Sequence, residues 1–315
     1  MNARLALLEG DAILFVTAAI WGFAFVAQRV GMDHLGPFTF NGVRYLIGAL
    51  SLVPLFLVRR SRAGAGARPP STTPQGLGAS SFAKTFAPPL LAGSAMFLGS
   101  SLQQVGLVST TAGNAAFITS LYVVIVPFLA AVFGKKVHGI DWAASLVAVS
   151  GLWLITMQHG LSIAPGDAFV LACAFFWALH IIVIGRFAST YDPIALSIGQ
   201  FAVSGVLSLA IAIPTERISL EAIGGALTPL LYGGLASCGV AFTLQIFGQR
   251  KAKPSHASII MSLEGLFGAI GGIIMLGEPA TARVLAGGGI MILATMLPQI
   301  VNGARALLRP RESRR

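Results

Sequence analysis

The sequence predicts an all-α integral membrane protein with ten transmembrane helices, and three observations support this fold class. Of the 315 residues, 55% are hydrophobic and only 10% are charged, whereas soluble domains average about 25% charged residues. Ten apolar runs separated by short polar connections fill the chain, and the last five repeat features of the first five. Because each half crosses the membrane an odd number of times, the second half must be inverted relative to the first.

Each apolar run is long enough to cross a bilayer as a helix. A crossing needs about 17 to 25 residues, and none of the runs alternates with the period of two that barrel strands show. The first run continues past Trp21 to Ala27, beyond the roughly 7–15-residue apolar core of a signal peptide. The predicted spans are 11–31, 37–58, 87–107, 113–134, 139–157, 167–187, 193–213, 226–248, 255–276 and 283–303.

The two halves can be aligned residue by residue. Pairs separated by 156 positions are Trp21 and Trp177, Pro37 and Pro193, and Arg44 and Gln200. Later pairs, separated by 142 or 143 positions, are Ser120-Leu121 and Ser262-Leu263, and Gly134 and Gly277. The separation falls because the second half lacks a long polar segment that the first half contains.

These comparisons divide the chain into two repeats and a tail. The first repeat is 1–157 and contains a flexible linker at about 59–86; the second is 167–303, and a basic tail occupies 304–315. The linker is rich in Gly, Ala, Ser and Pro, and such a composition buries too little apolar surface to order itself. Inverted membrane halves are typical of secondary transporters, in which the substrate path lies at the interface between the halves.

The excess of positive charge predicts topology and requires no nucleic acid as a partner. With the N-terminus in the cytoplasm, 17 of the 21 Lys and Arg residues fall in cytoplasmic segments, three in outer segments, and Arg44 within a span. This distribution follows the positive-inside rule, so both termini are predicted to be cytoplasmic. The net charge of +10 is then explained by topology and contact with lipid headgroups.

Ionisable side chains inside the predicted spans are the first candidates for substrate contact. Each costs about 2.5–3.5 kcal/mol on insertion scales, so its presence suggests use or tight pairing. Glu264 lies near the midplane of the span 255–276. It is expected either to hold a substrate ammonium or a proton, the candidate coupling ion, or to bond a neighbouring helix. His180 shares a helix face with Trp177 and is either a relay or substrate contact or a packing residue.

Other polar and aromatic side chains within the spans complete the candidate substrate site. Trp21 and Trp177 are far from the interfaces where tryptophans concentrate, so they either line the path or pack helices. Arg44 either extends toward headgroups or forms the counter-charge for a carboxylate. Tyr122 is the equivalent of Glu264 and is expected to face it near the pseudo-twofold axis. The remaining candidates, which alternatively connect helices, are Gln200 and Gln104.

Three residues are candidate hinges. Pro127 removes a backbone donor within the fourth span, and Gly265 and Gly268 occupy the equivalent ninth span. Close helix packing of the GxxxG type is the alternative role for the glycines. We predict no metal site and no cofactor, because the two cysteines lie in separate helices and the eleven acids are scattered.

Several stretches resemble the EamA-type branch of the drug/metabolite transporter superfamily. They are AAIWGFAF (18–25), GPFTFNGVRYLIGAL (36–50), GLVSTTAGNAAFITSLYVVIVPFLAAVFG (106–134), GDAFVLACAFFWALHIIVIGR (166–186) and SHASIIMSLEGLFGAIGGIIMLGEP (255–279). The resemblance implies a ten-helix inner-membrane protein of two inverted five-helix EamA repeats that exports amino acids, related metabolites or toxic compounds. Two departures are Gly134-Lys135, where the family usually has Gly-Glu, and Glu264-Gly265, where it commonly has Glu-Pro.

The predicted function is therefore export of small metabolites across the inner membrane by alternating access, with no enzymatic activity. Efflux of cations or multiple drugs is one alternative. An integral membrane enzyme acting on a lipid-linked substrate is another, although it would need acids, histidines or metal ligands clustered at one membrane face. A passive channel or scaffold is the third. No GxxxxGK[ST] loop is present, so ATP hydrolysis by this chain is not expected.

Overall fold

The computed structural model describes residues 3–62, 79–156, 165–277 and 280–308, and their regular secondary structure is helical. The helices of the first half are α1 (Ala3–Gly31), α2 (Pro37–Arg62), α3 (Ala79–Leu107), α4 (Ala112–Ser120), α5 (Tyr122–Val132) and α6 (Gly139–Thr156). Those of the second half are α7 (Asp167–Phe187), α8 (Pro193–Thr215), α9 (Leu220–Gly225), α10 (Leu227–Leu231), a π-helix (Tyr232–Phe242), α11 (Thr243–Gln249), α12 (Pro254–Met261), α13 (Glu264–Leu276) and α14 (Ala282–Leu308).

Each of the ten predicted spans coincides with a helix or with a broken helix in the described residues. Seven are long and apolar enough to cross a membrane: Leu7–Gly31, Pro37–Arg62, Ala112–Val132, Asp167–Phe187, Pro193–Thr215, Leu227–Gln249 and Pro254–Leu276. Gly139–Leu154 and Ala282–Pro298 are shorter apolar helices.

The third span is long, but it contains more polar residues, so its mean hydropathy is below that of the seven spans named above. The polar side chains in its second half are buried inside the bundle: Ser100, Ser101, Gln103 and Gln104. A polar helix face in a membrane protein is tolerated where it faces the protein interior. α3 therefore contributes a polar wall to the centre of the molecule.

Two of the spans are interrupted near their middle at equivalent positions. α5 begins at Tyr122 after a turn at Leu121, and α13 begins at Glu264 after a turn at Ser262 and Leu263. In both turns the backbone bonds shorten to a spacing of three residues, as in Leu121 N to Ile118 O (3.2 Å) and Leu263 N to Ile260 O (3.1 Å). Discontinuous helices of this kind form the central sites of many secondary transporters.

The inverted repeat is visible in the helix ends and in the helix pairs. Gly134 and Gly277, equivalent in sequence, follow the fourth and ninth spans and have φ values of 73° and 70°. This left-handed conformation costs glycine little, since it has no Cβ. α2 packs along α8, and α6 along α14. Each pair joins a helix to its own repeat equivalent, so the pseudo-twofold axis passes between them.

The π-helix in the eighth span absorbs one extra residue of the second half. Gly93 in α3 abuts Val203 and the Gln200 carbonyl. Gly234 in the π-helix abuts the repeat equivalents of these groups, Ile47 and the Arg44 carbonyl. The two glycines are 141 positions apart, whereas Gln103 and Gln245, beyond the π-helix, are 142 apart. A π-helix accommodates an insertion by widening the helix locally.

Helices extend into the segments predicted to be the linker and the tail. α2 continues to Arg62 and α3 begins at Ala79, so both ends of the predicted segment 59–86 are helical. α14 likewise extends to Leu308, into the predicted tail 304–315. Residues 63–78 and 309–315 lie outside the described residues.

Candidate functional site

A central cavity lies between the two halves and is lined by residues of both. α1, α2, α3, α7, the π-helix and α11 contribute to its wall, as do the two interrupted spans. Its lining combines aromatic, neutral polar and ionisable side chains: Trp21, Phe25, Gln28, Arg44, Gln103, Thr119, Tyr122, Trp177, His180, Ile181, Ser237, Phe242, Gln245 and Glu264.

The cavity lies on the pseudo-twofold axis, because much of its lining consists of residues that are equivalent in the two repeats. Two pairs are 156 positions apart, Trp21 with Trp177 and Phe25 with Ile181. Two others are 142 apart, Gln103 with Gln245 and Tyr122 with Glu264. Such a position at the interface of inverted halves is where secondary transporters bind substrate.

Phe242 is the centre of an aromatic wall that sequence analysis did not identify. Its ring centroid lies 4.5 Å from that of Trp21 and 5.7 Å from that of Trp177. The His180 ring meets Phe242 edge-on at 5.9 Å. Phe242 is the last residue of the π-helix, so the helix that absorbs the extra residue of the second half also carries the centre of this wall.

Arg44 is a buried cation of the cavity. Arg44 is 3% exposed, so the predicted alternative, in which its side chain extends toward the lipid headgroups, is wrong. The guanidinium lies 4.9 Å from the Tyr45 ring centroid and 5.5 Å from that of Phe40, and Nη2 donates to the Tyr45 hydroxyl over 3.3 Å. These contacts fix the group, while Nε has no hydrogen-bond partner in the described part of the chain.

Glu264 supplies a carboxyl group to the same cavity and is 4% exposed. Tyr122 lies beside it, as the repeat predicts, and the two groups interact electrostatically. Neither the Tyr122 hydroxyl nor Oε1 of Glu264 meets hydrogen-bond geometry with a described protein group. A cation or hydrogen-bond donor on a bound molecule would therefore find an acceptor here.

Two predicted site residues support the cavity without lining it. Gln104 donates through Nε2 to the Gln28 carbonyl (3.1 Å), and Oε1 of Gln200 bonds His180 Nε2 (2.9 Å). Gln104 Oε1 and Gln200 Nε2 have no hydrogen-bond partner among the described residues, and direct substrate contact by either residue stays a prediction. His180 is fully buried, and its Nδ1 has no partner.

Of the candidate hinges, Gly265 lies at the interruption of the ninth span, where its N–H donates to the Ser262 carbonyl over 3.1 Å, whereas Pro127 and Gly268 lie beyond the interruptions. Pro127 is buried within α5, after the turn at Leu121. Gly268 abuts Ala116 of α4 and approaches the Gly22 carbonyl of α1. The observed role of Gly268 is therefore close packing, and its role as a hinge stays a prediction.

Four lining residues that sequence analysis did not select had a usable signal. Phe25 and Ile181 are related by the same 156-position separation as the two predicted tryptophans. Gln103 and Gln245 are related by the 142-position separation of Tyr122 and Glu264.

Within the described part of the chain, no three His, Cys, Asp or Glu side chains are close enough to hold a metal ion.

Comparisons with known proteins agree with this arrangement. The sequence profile of the EamA-like transporter family matches residues 8–157 and 164–298. A protein of Archaeoglobus fulgidus described as an uncharacterized transporter is 31% identical over 291 residues, which cover 92% of this chain and 85% of that protein. The Escherichia coli K12 protein described as uncharacterized inner membrane transporter YedA is 23% identical over 288 residues, covering 90% and 88%.

A solved crystal structure of another protein supports the fold. It has a TM-score of 0.75, covers 95% of this chain and 98% of its own, and is 16% identical. The family profile matches each half separately, in agreement with the duplication seen in sequence and structure. The chain belongs to the EamA-like transporter family and is a multi-pass membrane transporter.

Proposed function

We propose that this transporter exports small zwitterionic metabolites, such as amino acids or related compounds, across the inner membrane by alternating access. The observation that carries the proposal is the presence of Arg44 and Glu264 in one buried cavity between the repeats. A guanidinium suits a carboxylate, and a carboxylate suits an ammonium. A zwitterion would satisfy both charges at once, and the aromatic wall around Phe242 would hold its apolar part.

The inverted repeat supports alternating access as the mechanism. Two halves that pack through equivalent helices can rock against each other, which opens the cavity to one side and then the other. The proton remains the candidate coupling ion, with Glu264 as its carrier. Both termini are proposed to be cytoplasmic, as the distribution of Lys and Arg predicts.

Efflux of organic cations is the second candidate function. Glu264 and the aromatic rings of Trp21, Trp177 and Phe242 would attract a cation. Arg44 opposes it, because its guanidinium would repel a cation in the same cavity. A cationic drug could therefore bind only if the Arg44 charge were compensated or lay far from the bound molecule.

The test is reconstitution of the purified protein into lipid vesicles with a screen of amino acids and one organic cation, tetraphenylphosphonium. Each compound is measured with and without an imposed pH gradient. We expect saturable flux of amino acids and a weaker flux of the cation. Inverted membrane vesicles from expressing cells should accumulate the same amino acids, which would establish export. Cation flux alone would replace the proposal by the second candidate, and flux without saturation would indicate a channel.

A further inference from the structure

The two repeats carry the same tryptophan–glutamine pair, but only one pair is hydrogen-bonded. Trp177 donates through Nε1 to Oε1 of Gln103 over 3.1 Å, which joins α7 to α3. The repeat equivalents of these residues are Trp21 and Gln245. The corresponding bond is absent between them, since Trp21 Nε1 and both amide atoms of Gln245 have no hydrogen-bond partner among the residues that the structure describes.

Gln245 is unusual because neither atom of its side-chain amide is hydrogen-bonded within the described residues. It is fully buried, and a buried amide with neither atom bonded costs stability, because its lost hydration is not replaced. Native proteins rarely leave such groups unsatisfied without a functional reason. The first-half equivalent Gln103, by contrast, has its carbonyl oxygen occupied.

The unbonded groups lie on one wall of the cavity. Gln245 follows Phe242 by almost one helical turn, and the Trp21 ring packs 4.5 Å from the Phe242 ring. Gln28 stands two turns beyond Trp21 on α1, lines the same cavity, and leaves its Oε1 without a partner. This wall therefore presents two N–H donor groups and two oxygen acceptors.

We propose that Trp21 and Gln245 form a neutral polar subsite that selects an uncharged group able both to donate and to accept hydrogen bonds, such as a carboxamide. This inference rests on the proposed function in assigning the cavity to the substrate. The subsite is distinct from the charged groups Arg44 and Glu264. It would favour metabolites with an amide side chain over apolar ones of similar size.

The first experiment measures the melting temperature of purified variants without any transported compound. Q245L removes an unbonded amide, so its melting temperature should equal or exceed that of the wild type. The matched variant Q103L breaks the bond from Trp177 and leaves a buried N–H unpaired, so its melting temperature should fall. W21F and W177F form a second matched pair with the same expected contrast. A fall for Q245L as large as that for Q103L would overturn the proposal.

The second experiment measures flux of L-glutamine and L-methionine, which are similar in size, into vesicles containing each variant. Q245L should lower glutamine flux relative to methionine flux by about tenfold, which corresponds to loss of one or two hydrogen bonds. An unchanged ratio would overturn the subsite. If the wild type moves neither amino acid, the proposed cargo fails, and the melting temperatures alone decide the assignment of Gln245.

Discussion

At the scale of single residues, the buried charges Arg44 and Glu264 determine the chemistry that the cavity supports. An intramembrane charge costs about 2.5–3.5 kcal/mol on insertion scales, so two of them in one cavity represent a substantial cost to the fold. Arg44 recovers part of this cost through two aromatic rings and the Tyr45 hydroxyl. Oε1 of Glu264 makes no hydrogen bond.

Charge-removing substitutions at these positions should separate the two candidate cargo classes. E264Q should reduce amino acid flux about tenfold or more at normal protein abundance, since a hydrogen bond to a charged group is worth about 1.5–3 kcal/mol. R44Q should also reduce amino acid flux, but it should raise tetraphenylphosphonium flux by removing a like charge. Transport assays in vesicles, normalised to protein content, measure both. Wild-type flux and wild-type pH dependence in E264Q would reject a role for this carboxylate.

Sequence alone located most charged and aromatic site residues but not their contacts. Glu264, Arg44 and the two tryptophans could be identified because such residue types are rare within apolar spans. Gln104 and its neighbour Gln103 could not be distinguished, because the helix rotation that points one into the cavity depends on packing against α7. Phe242 looked like any lipid-facing apolar residue until its neighbours were known.

At the scale of helices, small residues determine how closely the two interrupted spans approach each other. A Cβ built at Gly268 would lie 2.9 Å from the Ala116 Cβ, so a larger residue there would push α13 away from α4. Gly113, in the same α4 helix, has no atoms within 4 Å of an added Cβ. The two glycines thus provide a matched test of packing.

G268V should destabilise the protein by about 1–3 kcal/mol, the usual cost of overpacking. G113A should be neutral or slightly stabilising, because alanine has a higher helix propensity than glycine. Thermal unfolding in detergent measures both changes. If G268V unfolds at the wild-type temperature, Gly268 is not a packing residue, and its predicted role as a hinge would become the better explanation.

The π-helix provides a second prediction at this scale. Deleting the lipid-facing residue Val240 should convert the π-helix to an α-helix and keep the register of α11, so the protein should still fold. Deleting Leu98, the corresponding exposed residue of the regular helix α3, should rotate Gln103 out of the cavity and prevent folding. Val240 and Leu98 are 48% and 41% exposed, so lost burial does not distinguish them. Yield and melting temperature of both deletion variants test this, and failure of the Val240 deletion to fold would contradict an absorbed insertion.

Helix interruptions were harder to predict than helices. The sequence pointed to Pro127 as the irregular point of the fourth span, yet the turn lies at Leu121. Proline leaves one carbonyl unbonded, which a helix can tolerate, whereas the turns at Leu121 and Leu263 depend on packing around the cavity. The change in repeat separation from 141 to 142 positions, which accompanies the π-helix, became visible only through the contacts of Gly93 and Gly234.

At the scale of the whole molecule, duplication determines the topology. Five spans in each half place the connection after the first span and the connection between the halves on the same side of the membrane. Both were predicted from the odd number of apolar runs, and the aligned pairs fixed which helices are equivalent. The packing of α2 on α8 and of α6 on α14 could not be read from the sequence, because it depends on how the two bundles dock.

Cysteine labelling should confirm this topology. In a variant with Cys173 and Cys238 replaced by alanine, D33C and P165C should both react with an impermeant maleimide in intact cells. S189C, at the opposite end of α7, should react only after permeabilisation, since that end is predicted to be cytoplasmic. Labelling of D33C and P165C from opposite sides would exclude inverted five-helix halves.

The opposite charges of Arg44 and Glu264 have a consequence for the work done against the membrane potential. Moving one elementary charge across a membrane is worth about 2.3 kcal/mol per 100 mV. A substrate that neutralises both side chains carries no net charge itself, so the membrane potential neither drives nor resists its transport. A charged coupling ion alone would then make transport sensitive to the membrane potential.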